Sequence, residues 1–319
     1  MSSTNITFAD GVTVVIPFYN RSSFARRLLE SVVEQTCKPS MVLFVDNGSK
    51  PGEVDALKNV IGSTNTRGIG VKYLASQRTG NANIARNLGM LKANTRYVAF
   101  LDSDDWWQPN HLEASLAALR CSGKTGVYSG SIVHSVAVYT NRSISIESVP
   151  TPFHLLFSRE GWSAQTSTYV IDKARLRGVT WDERLRRHQD YDFFLAISFK
   201  ADGWAFNSEP TGNLERNAAA HGRNFDFKSM IRFLQKWESN FPPDCMQIYL
   251  PSQMDACILS HASDRYYRYY RSMYLRIATQ DDVKRLRSMK LFRSMRIRLI
   301  ELAKRLKIYS ILKKASNRT

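Results

Sequence analysis

The sequence predicts an α/β domain on a mostly parallel sheet with helices covering both faces. Three observations carry that prediction. Over the first hundred residues, short apolar or β-branched runs alternate with segments whose apolar residues recur at helical spacing. Each of four such runs ends in hydrogen-bonding side chains, and open α/β sheets bind ligands outside the carboxyl ends of their strands. The fourth run passes directly into an acidic cluster, "YVAFLDSDDWW" at 97–107.

The elements follow in order. "VTVVIP" (12–17) reads as a buried strand closed by a proline. Phe24, Leu28 and Val32 mark one face of a helix within 21–36. "MVLFV" (41–45) and "VKYL" (71–74) are the second and third strands. "NANIARNLGMLKA" (81–93) is a helix, with Ile84, Leu88 and Leu91 expected on its buried side and Arg86 opposite them. "RYVAFL" (96–101) is the fourth strand. A helix over "HLEASLAALR", strands within 126–139, a strand over 162–171 and a helix opening near Asp190 follow. Residues 226–280 read as helical. Two regions are therefore expected: a body over 1–215 and a basic helical region over 216–319.

The strand ends hold the chemistry. Tyr19 and Asn20 follow the first strand, Asp46 and Asn47 the second, Gln77 and Arg78 the third, and Asp102, Asp104 and Asp105 the fourth. Like charges that close are tolerated best around a cation. Carboxylate oxygens suit Mg²⁺ or Mn²⁺, which bridge one or two carboxylates to diphosphate oxygens. The chain has no GxxxxGK[ST] loop, and no GxGxxG joins a strand to a helix. Any bound nucleotide is therefore expected to be held by something other than a glycine loop.

Composition bounds the class. Hydrophobic residues make up 43% of the 319, enough for a packed core. Cys37, Cys121, Cys245 and Cys257 lack paired spacing, so neither a disulfide framework nor a zinc site is expected, and a reducing compartment fits. The opening "MSSTNITFADG" has no basic start followed by an apolar stretch, and no run approaches a spanning helix. The net charge is +17, of which 283–319 contributes +12 from thirteen Lys or Arg against Glu301 alone. Leu291, Met295, Leu299, Leu302, Leu306, Tyr309 and Leu312 form a helical apolar stripe in that tail, flanked by basic residues. Such a helix suits the surface of an anionic membrane, or else packs on the body.

"VTVVIPFYN", "LFVDNGS", "GNANIARNLGM", "YVAFLDSDDWW", "FHLLFSREGWSAQTSTYVI" and "TWDERLRRHQDYDFFLAI", in that order, resemble glycosyltransferase family 2 over residues 11 to about 205. The resemblance implies a GT-A fold, a Rossmann-like sheet with helices on both faces, followed here by a C-terminal basic helical extension. It implies an inverting transfer of one sugar from a UDP-, dTDP- or GDP-linked donor to a glycan hydroxyl, with Mn²⁺ or Mg²⁺ as cofactor. Pro17 to Tyr19 would line the base and ribose pocket. Asp46 and Asn47 would read the base, with Asn47 standing where many relatives have a second aspartate. Arg78 would be a pocket arginine, and Arg86, opposite Ile84 and Leu88 on its helix, is a further candidate for positive charge near the leaving phosphate. Asp104 and Asp105 would lie nearest the metal and Asp102 nearest the ribose or sugar. Asp190 would be the catalytic base, with Arg187 and His188 adding positive charge near the leaving phosphate. Gln165 to Thr168 would form part of the acceptor side. The acceptor would be a growing, lipid-linked glycan of the kind built in polysaccharide or lipopolysaccharide synthesis on the inner face of a plasma membrane. The QxxRW motif of processive synthases is absent, which favours single additions.

Plainer readings stand beside these. "VDNGS" is also a good turn, "DSDD" could be a surface loop capping the next helix, and Asp190 could be only an N-cap, leaving Asp192 as the base. Trp106 and Trp107 could stack on a sugar or pack on the sheet. A sugar nucleotidyltransferase would keep the fold, but "PFYNRSS" replaces its glycine-rich basic loop. A non-enzymatic basic module would explain the tail but not the aspartates, and nucleic acid is not an expected partner.

Overall fold

A computed structural model describes residues 9–78, 80–135, 137–161, 163–216, 225–260 and 262–280. It divides into two compact units, Met1–Asn240 and Phe241–Thr319.

Within the first unit, strand β1 (Ala9–Phe18) leads into helix α1 (Ser22–Val33), β2 (Met41–Asp46), helix α2 (Pro51–Ser63), β3 (Gly70–Ala75), helix α3 (Ala82–Lys92) and β4 (Thr95–Phe100). These four strands lie in the order β3-β2-β1-β4, all parallel. The chain continues through β5 (Trp106–Trp107), α4 (His111–Ser122), β6 (Gly126–His134), β7 (Val138–Asn141), α5 (Pro152–Leu156), β8 (Val170–Asp172), α6 (Gln189–Lys200), β9 (Trp204–Glu215) and α7 (Phe227–Trp237). Strand β8 pairs antiparallel with both β4 and β6, and β6 runs parallel to β9. Strands β1, β2, β4 and β9 therefore point the same way, and their carboxyl ends share one edge.

Right-handed crossovers put α1 and α2 on one face of the sheet and α3 on the other. The alternation of β1 matches this. Val12, Val14, Ile16 and Phe18 join Ala25, Leu28, Leu29 and Val32 of α1 in one core cluster. Val15 faces α3: a methyl on Gly89 would lie 2.3 Å from its Cγ1. Each large apolar side chain so buried contributes about 1.5–3 kcal/mol. An aromatic core fills the other half, where the Trp181 and Phe193 rings stack at 4.0 Å.

Several expectations change. Helix α3 turns the other way: Asn83, Ala85, Arg86, Gly89 and Met90 are buried, and Leu91 is 76% exposed. Close approach to β1 requires small residues, so Gly89 and Ala85 take the inner face and the Ile84–Leu88–Leu91 stripe faces outward. Helix α2 has no counterpart among the expected elements. Leu57 is its one fully buried residue among those described, which leaves little periodicity to detect. Of the strand expected over 162–171, only 170–171 is strand, within β8. Thr166–Thr168 is a buried 3₁₀ turn. The first unit runs past the 215 boundary to Asn240, because α7 is tied to α6: Lys236 Nζ and Trp237 Nε1 each donate to Asp192, at 2.8 Å.

In the second unit, α8 (Pro243–Leu259) and α9 (Asp264–Leu275) are helices, and Tyr270, Met273 and Tyr274 form the buried face of α9. No helix among the described residues is long and apolar enough to cross a membrane. The amphipathic helix expected over 283–312 lies outside the described residues.

Candidate active site

The shared strand edge opens into a cleft of about 690 Å³. Its wall takes Pro17, Phe18 and Tyr19 from the end of β1 and Arg21 from the loop beyond. Asn47 comes from the end of β2, Asn81 and Arg86 from the start of α3, and Asp102, Ser103 and Asp104 from the loop after β4. Arg186 and Gln189 enter from the segment before α6, and Arg216 from just beyond β9.

The turn after β2 explains its sequence. Asp46 is consumed locally: Oδ1 accepts from the Ser49 N–H and Oδ2 from the Tyr73 hydroxyl, both at 3.0 Å. Gly48 adopts φ +91°, a region that favours glycine. Asn47 is fixed through its N–H to the Phe18 carbonyl at 2.8 Å, while its buried Oδ1 has no hydrogen-bond partner. Of the two residues expected to read a base, only Asn47 is on the cleft wall.

The three aspartates separate into different environments. Asp102 accepts from Arg86 Nη2 at 2.7 Å, and Asp104 pairs with Arg21. Both face the cleft. Asp105 turns away from it and is 2% exposed. Its Oδ1 accepts from the Glu215 N–H at 2.9 Å and its Oδ2 from the Ser167 hydroxyl at 2.6 Å. Burial, reinforced by Asp104 and Asp102, pushes its carboxyl well above the usual range. Ser167, expected on the acceptor side, instead supports this loop and also accepts from the Asp102 N–H at 3.1 Å. Two hard carboxylate donors on the cleft wall fit a divalent cation whose other ligands are phosphate oxygens and water. Asp102 with Asp104 therefore matches that chemistry better than the expected pair of Asp104 with Asp105.

Arg86 is 4% exposed and binds three ways: to Asp102, to Asn83 Oδ1 at 2.9 Å and to Gln189 Oε1 at 3.2 Å. Its guanidinium lies 4.6 Å from the centre of the Trp181 ring. Arg78 is elsewhere, paired with Glu183 and 68% exposed beside a separate groove.

Asp190 follows Gln189 in the first turn of α6 and is half-buried, with Oδ1 accepting from the Tyr191 N–H at 3.0 Å. It is not itself on the cleft wall. Burial raises its carboxyl above the ordinary value, against the lowering effects of the Tyr191 N–H, Arg86 and Arg187. His188, at φ +59°, is the N-cap residue of α6. The imidazole lies among aromatic rings, 5.3 Å from Tyr191 and 5.1 Å from Phe233. Burial, with Arg187 nearby, holds its pKa down at about 3. Asp192 is held by Lys236 and Trp237 and lies off the cleft. Trp106 is engaged by Arg27, 3.6 Å from its ring centre, and by His134 at 4.5 Å. Trp107 is buried against His111.

Arg21, Arg186, Gln189 and Arg216 on the cleft wall are not among the site residues expected from the sequence. Each lies at or just beyond an element's end, and only the folded topology brings the four together.

The family described as glycosyl transferase family 2 matches residues 13–186. The chain is 29% identical over 208 residues to the amylovoran biosynthesis glycosyltransferase AmsB of Erwinia amylovora, covering 63% of this chain and 68% of that one. Its fold is similar to S. aureus TarS 1-349 in complex with UDP-GlcNAc, with a TM-score of 0.54 at 16% identity over 75% of this chain and 65% of that one. It is likewise similar to the mannosyltransferase PcManGT of Pyrobaculum calidifontis in complex with GDP-Man and Mn²⁺, with a TM-score of 0.51 at 16% identity over 72% and 64%. The family match covers more than half of the 319 residues, and the sheet order and these likenesses agree on the GT-A arrangement. The chain belongs to glycosyltransferase family 2.

Proposed function

We propose that the protein transfers a single sugar, with inversion, from a nucleotide-sugar donor to a hydroxyl of a growing glycan in polysaccharide synthesis. One observation carries this reading: two carboxylates and four guanidinium groups, from Arg21, Arg86, Arg186 and Arg216, converge on one cleft with the unpartnered carbonyl of Asn47 at its side. Guanidinium groups suit diphosphate oxygens. The Asn47 carbonyl can accept an N–H from a uracil, thymine or guanine ring. The relatives add support, since AmsB is a glycosyltransferase of amylovoran biosynthesis, and the TarS and PcManGT structures are complexes with UDP-GlcNAc and GDP-Man.

The donor's diphosphate lies against the arginines, with the base toward Pro17, Tyr19 and Asn47. Asp102 and Asp104 would hold a divalent cation, whose chemistry is to offset the negative charge growing on the leaving diphosphate. An acceptor hydroxyl attacks the anomeric carbon from the face opposite the leaving group, and Asp190 takes its proton. Arg86 keeps the aspartate loop and Gln189 in register. The acceptor is lipid-linked, and the basic residues of 283–319 draw the protein to an anionic membrane surface. Membrane partitioning left unchanged by deleting 283–319 removes that last element.

The reaction is tested with Asp190→Asn. The variant binds nucleoside diphosphate with metal as the parent does, by calorimetry, and loses transfer by on the order of 10²–10⁴-fold. Full turnover in this variant rules out Asp190 as the base.

A further inference from the structure

The asparagines of "NANIARN" do more than form a helix. Asn81 is 6% exposed and uses every hydrogen-bonding site of its amide. Its Oδ1 caps α3 through the Asn83 N–H at 2.9 Å and accepts from Gln189 Nε2 at 2.8 Å. Its Nδ2 donates to the carbonyls of Glu183 and Leu185, both at 2.8 Å. Asn83 is fully buried, and its Nδ2 donates to the Asp182 carbonyl at 2.8 Å while its Oδ1 receives Arg86. Asn87 grips Trp181 on both sides of its backbone: Nδ2 donates to its carbonyl at 2.9 Å and Oδ1 accepts its N–H at 3.0 Å.

Three amides at i, i+2 and i+6 thus bind the backbone of 181–185, a segment of no regular structure a hundred residues away. Backbone groups there have no helix or strand partner, and side-chain amides replace one. The clamp has a chemical consequence at each end. Trp181, fixed by Asn87 and stacked on Phe193, forms the shelf beneath Arg86, which holds Asp102. Leu185 and Gln189, fixed by Asn81, precede Asp190. From the other side, Ser229 Oγ accepts the N–H groups of Arg186 and Arg187 at 2.8 and 2.9 Å.

We infer that Asn83 and Asn87 are positioning residues, which register the segment carrying Asp190 against the loop carrying Asp102 without touching the donor. Neither lies on the cleft wall, and Asn87, bonded to Trp181 and Glu183, is the cleaner substitution because Asn83 also holds Arg86. The inference rests on the proposed role of Asp190. Misplacing a catalytic group by about 1 Å costs up to roughly 10²-fold in rate.

The test uses the full chain with Asn87→Ala and Asn83→Ala, measuring nucleoside diphosphate affinity with Mn²⁺, kcat, KM for the donor and the pH profile of kcat. The expected result is a fall in kcat of about 10–100-fold. In Asn87→Ala, diphosphate affinity and donor KM should stay within about twofold, and the acid limb of the profile should move as Asp190 leaves its setting. Asn87 is the milder site, being only half-buried, and keeps the inference testable should Asn83→Ala fail to fold. Full kcat in a folded Asn87→Ala, or a loss confined to KM, overturns the inference. If Asp190→Asn is inactive while both asparagine variants turn over normally, the clamp alone fails. If Asp190→Asn is active, the reading beneath it fails.

Discussion

Asp190 sits where its own charge is penalised, and the sign of that penalty can be worked through. Its folded pKa is raised, chiefly by burial. A raised carboxyl binds its proton more tightly folded than unfolded. Its ionisation therefore costs nothing below the unfolded value near 3.9 and its full penalty above the folded one. An asparagine in its place would mimic the protonated form and still accept the Tyr191 N–H. Asp190→Asn should melt higher than the parent at pH 8, and the difference should shrink to nothing as pH falls toward 4. A lower melting point at pH 8 would mean that Asp190 is structurally needed as an anion. Residue by residue, the sequence exposed the acidic cluster because a buried strand rarely runs into three carboxylates without cause. It did not tell Asp105 from Asp102. That choice lies with Ser167 and the Glu215 N–H, which take both oxygens of Asp105 from 62 and 110 residues away.

At the level of elements, α3 is the instructive case. Its apolar stripe at 84, 88 and 91 pointed to a buried face, yet the helix presents glycine and alanine to β1. Periodicity detects which residues are apolar, but proximity to a strand selects for small size. Gly89→Ala should therefore destabilise the protein by about 1–3 kcal/mol, since the new methyl meets three atoms of the fully buried, β-branched Val15. Leu91→Gln, on the outer face, should cost no more than about 0.5 kcal/mol. Urea denaturation of the two variants measures both, and the reverse ranking would return the stripe to the core. The strands β1 to β4 were legible because each is a short apolar run between turn signals. Helix α2 was not, with Leu57 alone fully buried, and the 3₁₀ turn at 166–168 was not because its burial serves the aspartate loop rather than a sheet.

Across the whole molecule, the order of motifs made the fold readable well beyond any single one. Strand ends separated by up to two hundred residues meet at one edge, and the topology gathers Arg21, Arg86, Arg186 and Arg216 around Asp102 and Asp104. No local pattern announces those arginines, because their shared purpose exists only once the sheet has formed. On the proposed function, this cleft binds a nucleoside diphosphate together with a divalent cation. A thermal-shift comparison of UDP, dTDP and GDP, each with Mn²⁺ and with chelator, in the parent and in Asp104→Ala, tests it most directly. At a hundred times its dissociation constant the bound ligand adds about 2.7 kcal/mol. The parent should be stabilised by at least one of the three with Mn²⁺, and that shift should vanish with chelator and in Asp104→Ala. Equal stabilisation with chelator, or an undiminished shift in Asp104→Ala, would contradict it.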